Sequence, residues 1–222
     1  MSKDEAMYEA LVAWGRLQWR GFDVRFKDES WLMRTIGKLL FFNKKFMTGY
    51  TSTFRSAVYF PSKQWFEAVG HRHAYKVLAH ELVHIHDSNR EGHVVFGLKY
   101  LLPQIAALTA LLAIFWSPWF LLALILALPL PSAGRKRAEM RGYAMSMAVN
   151  FWRHGSVMQE QKDHIAVKFT GADYYYPWPF RKPVDAEIEG WLDRISSGAI
   201  LDEEPMFKSV YELMREEGLA GA

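Results

Sequence analysis

Apolar residues recur at helical intervals as soon as the chain begins. Met7, Leu11, Trp14 and Leu17 follow Ser2 and Glu5, which have capping-box spacing, and Gly21 is a helix stop, so a helix is expected over about 3–20. Phe22 to Lys27 alternates apolar and polar residues, the pattern of a strand. Residues 31–42 are apolar with scattered cations and predict a helix. It could lie on a membrane surface, but a core-facing helix with solvated lysines is the expected form. The stretch Gly49 to Phe60, rich in Tyr, Thr, Phe and Val and ended by Pro61, reads as one or two strands. Such a strand is either an ordinary sheet member or an edge on which an extended peptide could pair. A short helix closed by Gly70, a helix over about 71–90, and an almost continuously apolar run over 101–130 broken at Ser117-Pro118 come next. A polar helix over about 133–153 follows. Then come a short helix or strand at 159–168, an aromatic, proline-rich loop at 174–180, a helix near 184–197, and a last helix started by Asp202 and Pro205 and ended near Gly218. No internal repeat or low-complexity tract interrupts this order.

The chemistry concentrates in the helix over 71–90, which carries His80-Glu81-Leu82-Val83-His84. Residues four apart share a helix face, so both imidazoles can reach one divalent cation, and Glu81 stands beside it where it can accept a proton from water. A half-buried pair of hydrogen-bonded core histidines is the plain alternative. Zinc in a catalytic site takes three protein ligands and leaves the fourth position open. Within the same helix the choices are poor. His86 points to another face. Asp87 and Glu91 share the face of His80, but Asp87 lies about 10 Å further along the axis. His93 could serve only if the chain turned back sharply after Gly92.

The uncharged residues around the motif (Val77, Leu78, Leu82, Val83 and Ile85) make it resemble the extended signature of zinc metallopeptidases; His86 stands where that signature usually has a hydrophobic residue. The metzincin pattern does not fit, because Arg90 occupies the position of its third histidine. The order of motif helix, apolar segment, basic Arg135-Lys136-Arg137 and a helix with Glu139 resembles the membrane-associated gluzincins, the group of the CAAX prenyl proteases and the bacterial HtpX heat-shock protease. The resemblance covers about residues 50–150. It implies Zn²⁺ held by His80, His84 and Glu139, with Glu81 as general base. Tyr143 occupies the place where those families commonly carry Asp, and it shares a helix face with Glu139. Its hydroxyl is therefore a candidate donor to the developing oxyanion, with His154 as another. His73, on the motif face, is a candidate supporting residue. Otherwise Glu139 would be a solvated partner of Arg135 or Arg141, and Tyr143 a packing residue.

The apolar run exceeds the roughly 20 residues that cross a bilayer. A single crossing would put His84 and Glu139 on opposite sides of the membrane, so a shared metal requires the segment to enter and return. The Ser117-Pro118 break suits a turn between arms of about 24 and 18 Å if both are α-helical. Lys99 before the run and Arg135-Lys136-Arg137 after it place both ends on the cytoplasmic side. A hairpin buried in a soluble core or an oligomer interface is the alternative, and a single span would require giving up Glu139.

Composition narrows the partners. A net charge of +3 argues against a specific nucleic-acid binder. The absence of Cys excludes disulfides and thiolate ligands. The polar, acidic N-terminus opens no cleavable signal peptide. The expectation is one α+β domain over 1–222, a minimal zincin-like metallopeptidase that is mainly helical with a small sheet, with 101–131 inserted as an apolar membrane hairpin. Its expected activity is zinc-dependent endopeptidase hydrolysis of a peptide or protein substrate at the cytoplasmic face of a membrane, with lipid as partner of 101–131 and a homo-oligomer left open. The alternatives are a soluble zincin whose hairpin docks to a partner, and a membrane-associated interaction protein with a structural or vestigial metal site. Retention of Glu81 argues against a purely structural site.

Overall fold

The computed structural model describes residues 2–40, 43, 45–171 and 177–218. The architecture is mainly helical α+β with a small three-stranded mixed sheet. Helix α1 (Lys3–Gln18) begins with the expected capping box: the Ser2 hydroxyl accepts from the Glu5 amide at 3.2 Å, and the Ser2 amide donates to the Glu5 carboxylate at 3.0 Å. Strand β1 (Asp23–Phe26) pairs in parallel with β3 (Ala57–Phe60), after a crossover through α2 (Trp31–Leu39). Strand β2 (Ser52–Phe54) joins β3 in an antiparallel hairpin and forms one edge of the sheet. Helix α2 keeps the expected position, but it buries only Met33 fully, while Leu32 and Ile36 pack beside it and Trp31 and Leu39 are exposed.

Helix α3 (Lys63–Glu91) merges the two helices anticipated around Gly70, which stays non-helical at φ 73° and bends the axis. It is the spine of the core. Tyr75, Leu78, Leu82 and Ile85 are buried against α1, β3 and Met140, Ala144 and Ala148 of α5 (Ala133–His154). Between α3 and α5 lies α4 (His93–Leu101), and α6 (Gln159–Thr170), α7 (Arg181–Ser196), α8 (Ile200–Glu203) and α9 (Pro205–Glu216) complete the chain. Arg141 ties three of these elements together. It donates to both oxygens of Asp87 on α3, at 2.8 and 3.1 Å, and to Glu204 ahead of α9 at 2.8 Å. The aromatic loop anticipated at 174–180 falls partly outside the described residues; its Trp178 packs against the main core.

The apolar run turns at Ser117-Pro118 as expected, but its arms are 3₁₀ rather than α-helical. They cover Gln104–Ile114 and Pro118–Ala127, about 22 and 20 Å long at roughly 2.0 Å per residue. The segment leaves the body of the protein and returns to it. At its base the Ser132 hydroxyl donates to the Leu102 carbonyl at 2.5 Å, and the Gln104 amide donates to the carbonyls of Leu128 and Leu130 at 3.3 and 3.2 Å. The arms pack on each other, and their outer side chains face away from the body, with Phe115, Trp116 and Trp119 at the tip 84, 80 and 77 % exposed. The hairpin is therefore not buried in the core of the monomer. No single helix among the described residues is long and apolar enough to cross a membrane; α4 and the first arm qualify only as a pair bent by 87°.

Lys27 is fully buried at the end of β1, where its ammonium donates to the Phe46 carbonyl at 2.6 Å and lies 4.1 Å from that ring's centre. Burial pulls its pKa down to about 8, partly offset by the charge of Glu81. Between that value and the ordinary 10.5 the unfolded chain holds the proton that the folded chain has released, so stability gains as pH climbs through this window and loses as it falls. Lys27→Met is expected to flatten the rise in unfolding free energy between pH 8 and 10.5, measured by urea titration at several pH values; an unchanged slope would place the titration elsewhere.

Candidate metal centre

The motif helix α3 and the helix α5 pack so closely that a side chain at Gly142 would collide with His80. A Cβ there would lie 2.5 Å from His80 Nε2. This contact sets the depth at which α5 approaches the motif. One turn earlier on α5, it brings Glu139 to the two histidines. His80 Nε2 lies 3.5 Å from Glu139 Oε2, His84 Nε2 lies 3.8 Å from Oε1, and the two imidazole nitrogens are 3.1 Å apart. All three residues are buried, and Glu139 is only 4 % exposed. A carboxylate at such a depth is not the solvated partner of Arg135 or Arg141.

The arrangement fits a divalent cation. At metal–ligand distances of about 2.0–2.1 Å, tetrahedral ligand atoms sit roughly 3.3 Å apart; the two imidazole nitrogens at 3.1 Å and His80 Nε2 with Glu139 Oε2 at 3.5 Å are close to that, while the 3.8 Å from His84 is to the other carboxylate oxygen. Two imidazole nitrogens and one carboxylate oxygen form a borderline-hard donor set suited to zinc and its neighbours. The buried group of His80, His84 and Glu139 can therefore hold a metal ion.

Electrostatics reinforces the grouping. Burial alone would raise the Glu139 carboxyl, but the hydrogen bond from His80, the charges of His84 and His80, and the Tyr100 hydroxyl bring it down to about 2. Burial alone would lower His80, but the hydrogen bond and charge of Glu139, with help from Glu81, raise it above its ordinary value. The site is built to keep a carboxylate ionised among nitrogen ligands.

Glu81 is buried beside the histidines and accepts a hydrogen bond at 2.6 Å from the Thr53 hydroxyl on edge strand β2. One carboxylate oxygen is thus occupied. On the opposite side, Tyr100 of α4 donates to Glu139 Oε1 at 2.6 Å. Its own proton is firmly held, because burial and then the charge of Glu139 push the hydroxyl well above the usual phenol range.

Tyr143 is brought to the site. Its ring stands edge-on to His80 at 4.9 Å and also meets Phe169. His73 lines the same cleft but contacts the Trp65 ring at 6.0 Å. His154 lies with Arg72 at an exposed position near the end of α5. His93 pairs with Ser88 at 2.7 Å. Asp87 belongs to the Arg141 clamp, and Glu91 pairs with Lys99 at 2.8 Å. Among these sequence candidates, Glu139 alone completes the pair of motif histidines.

Thr53, Tyr100 and Gly142 are the contacts that sequence reasoning missed. Only Gly142 left a signal, since a glycine inside an otherwise good helix often marks a close approach.

The three ligands lie in a cleft of about 2680 Å³. It runs from the apolar side of α2, past β2 and the motif, to the base of the hairpin, with α6 on another wall. Helix α2 thus turns its apolar side chains toward this cleft as much as toward the core, a use that its hydrophobic pattern could not distinguish. Comparison of the chain with protein-family models, curated proteins and solved structures returns no match.

Gly142→Ala is expected to push the His80 ring aside, at a cost of about 1–3 kcal/mol in stability and with weaker binding of any divalent ion the cluster takes up. Thermal unfolding and zinc titration of the purified variant check this. Unimpaired zinc uptake would show that the α3–α5 approach is not what aligns the ligands.

Proposed function

We propose that this chain is a zinc-dependent metalloendopeptidase of gluzincin-like design, a minimal zincin, working at the cytoplasmic face of a membrane. The observation that carries the reading is the convergence of His80, His84 and Glu139 on one point, with Glu81 beside them in a cleft large enough for a peptide. Three protein ligands in an open cleft match the catalytic pattern, whereas structural zinc sites are usually closed by four.

The roles follow from placement. His80, His84 and Glu139 would hold the ion, which supplies Lewis acidity and a water that ionises near neutral pH. Glu81 has one oxygen engaged by Thr53, so its other oxygen is the one to accept the water proton and later return it to the leaving amine. Tyr143, against His80, is the candidate donor toward the carbonyl oxygen of the substrate. Edge strand β2 lies along the cleft and brings a strand edge, unpaired among the described residues, close to Glu81, where an extended substrate can pair.

The membrane half of the reading rests on the hairpin. Exposed Ile114, Phe115, Trp116 and Trp119 form an apolar tip, the arms carry exposed Leu108, Leu111, Leu121 and Leu122, and α4 before them carries exposed Val94, Val95 and Leu98. So many exposed apolar side chains on one segment favour an apolar partner, and tryptophans suit the boundary between lipid and water. The 3₁₀ arms satisfy most of their backbone groups internally, as insertion into lipid requires. Of the basic flanks, Lys99 and Lys136 pair with Glu91 and Glu187, and Arg135 is drawn into the hairpin base, while Arg137 is exposed.

Glu81→Gln is expected to retain stoichiometric zinc while cleavage of an unfolded protein substrate falls by about 100-fold or more. If wild type and variant both carry zinc and are equally inert on a broad panel of peptides, an interaction protein with a structural metal site becomes the better account.

Trp116→Ser combined with Trp119→Ser is expected to weaken flotation with phosphatidylglycerol-containing vesicles by at least about tenfold. Equal flotation of the two proteins would remove the hairpin as the membrane anchor.

A further inference from the structure

The third ligand is not aimed by its own helix alone. Glu139 Oε1 accepts the Tyr100 hydroxyl at 2.6 Å and lies 3.8 Å from His84 Nε2, while Oε2 lies closer to its histidine, 3.5 Å from His80 Nε2. Tyr100 sits at the end of α4, immediately before the apolar hairpin, and is fixed from several directions. Its ring stacks on Phe96, which itself lies beside the His84 ring. The Arg135 guanidinium lies 5.3 Å from the centre of the Tyr100 ring and donates through Nε to the Tyr100 carbonyl at 3.2 Å. The same guanidinium donates to Gln104 Oε1 at 3.0 Å, and the Gln104 amide reaches the carbonyls of Leu128 and Leu130 just after the returning arm of the hairpin.

A continuous set of polar contacts therefore runs from the closed base of the hairpin to the carboxylate in the metal centre. At the point of closest approach, α4 meets the start of α5 so tightly that a Cβ on Gly134 would fall 2.1 Å from the Lys99 carbonyl. The carbonyl of the residue before Tyr100 is thereby pressed against the helix that carries Glu139. The hairpin base and the backbone of Tyr100 thus share the Arg135 guanidinium.

We propose that Tyr100 is the positioning residue of the third metal ligand: it engages Glu139 Oε1 so that Oε2, beside His80, would be the oxygen offered to a metal, and the Arg135–Gln104 clamp makes this aim depend on the seating of the hairpin. The inference rests on reading His80, His84 and Glu139 as a metal site. A carboxylate free to turn can bind through both oxygens or swing away from the histidines. A hydrogen bond to one oxygen opposes both, which is how outer partners commonly tune ligands. The hairpin then has a second task besides contacting an apolar partner, since its base is part of the framework of the metal centre.

The test uses the full chain and metal ions alone. Zinc affinity is measured by competition with a chromophoric chelator, and the cobalt-loaded protein is examined by visible absorption, which reports coordination number. Tyr100→Phe, which deletes only the hydroxyl, is expected to weaken zinc binding by about 10–100-fold and to shift the cobalt spectrum toward higher coordination. Gln104→Leu, which changes neither Tyr100 nor any of the three proposed ligand residues, is expected to weaken zinc binding in the same direction by a smaller factor. Wild-type affinity and spectrum in Tyr100→Phe would overturn the positioning role, and wild-type affinity in Gln104→Leu would overturn the link to the hairpin. A wild-type protein that takes up neither ion would instead overturn the metal site itself, a result distinct from either failure.

Discussion

A carboxylate buried away from water is held against two imidazoles, and much of the surrounding structure is explained by what that requires. Desolvating an ionised glutamate costs several kcal/mol unless its oxygens find strong partners. Glu139 finds them in His80, His84 and Tyr100, so an otherwise destabilising group becomes the centre of a pre-formed site. The requirement propagates outward. Helix α5 must approach α3 to within the thickness of a glycine at position 142, and α4 must cross the start of α5 where Gly134 leaves room for the Lys99 carbonyl. Arg141, bound to Asp87 and Glu204, then fixes the relative placement of α3, α5 and α9 next to the site.

The sheet and the hairpin frame this centre from opposite sides. Strand β2 contributes Thr53, whose hydroxyl restrains Glu81, and so connects the sheet edge to the acid of the motif. The hairpin contributes Tyr100 at its entrance and Gln104 and Ser132 at its base. One feature restrains the motif carboxylate and the other the carboxylate that meets the two histidines, so the two acids are held by different elements. The exposed tip of the hairpin lies beyond this polar base, so the apolar surface and the candidate metal site are joined along one segment.

Much of the organisation was legible in the hydrophobic pattern. The capping box at Ser2 and Glu5, the strand at Asp23–Phe26, the breaks at Gly70 and Ser117-Pro118, and the helices at Ala133–His154 and Arg181–Ser196 appear close to where periodicity placed them. Residues 159–168, ambiguous between helix and strand, are helical. The hairpin arms depart from expectation. Uniformly apolar sequence carries no periodicity, so it cannot distinguish an α-helix from the tighter 3₁₀ form observed. The surfaces bordering the cleft were equally hard to read, because α2 shows the same amphipathic pattern whether its apolar side covers a core or lines a groove.

By itself, the sequence determined the pairing of His80 with His84 and the presence of Glu81 between them, because spacing along a helix is a local property that the chain carries wherever it folds. It also determined that the apolar run breaks at Ser117-Pro118, because a proline at that point interrupts any regular helix. Tertiary structure alone decided that Glu139 meets the histidines, that Thr53 and Tyr100 hold the two carboxylates, and that Tyr143 stands against His80. Each of these joins elements distant along the chain, and what brings them together is the fit of α5 against α3. That fit depends on the shape of packed side chains and on the space left by a glycine, neither of which is written in the spacing of any one segment.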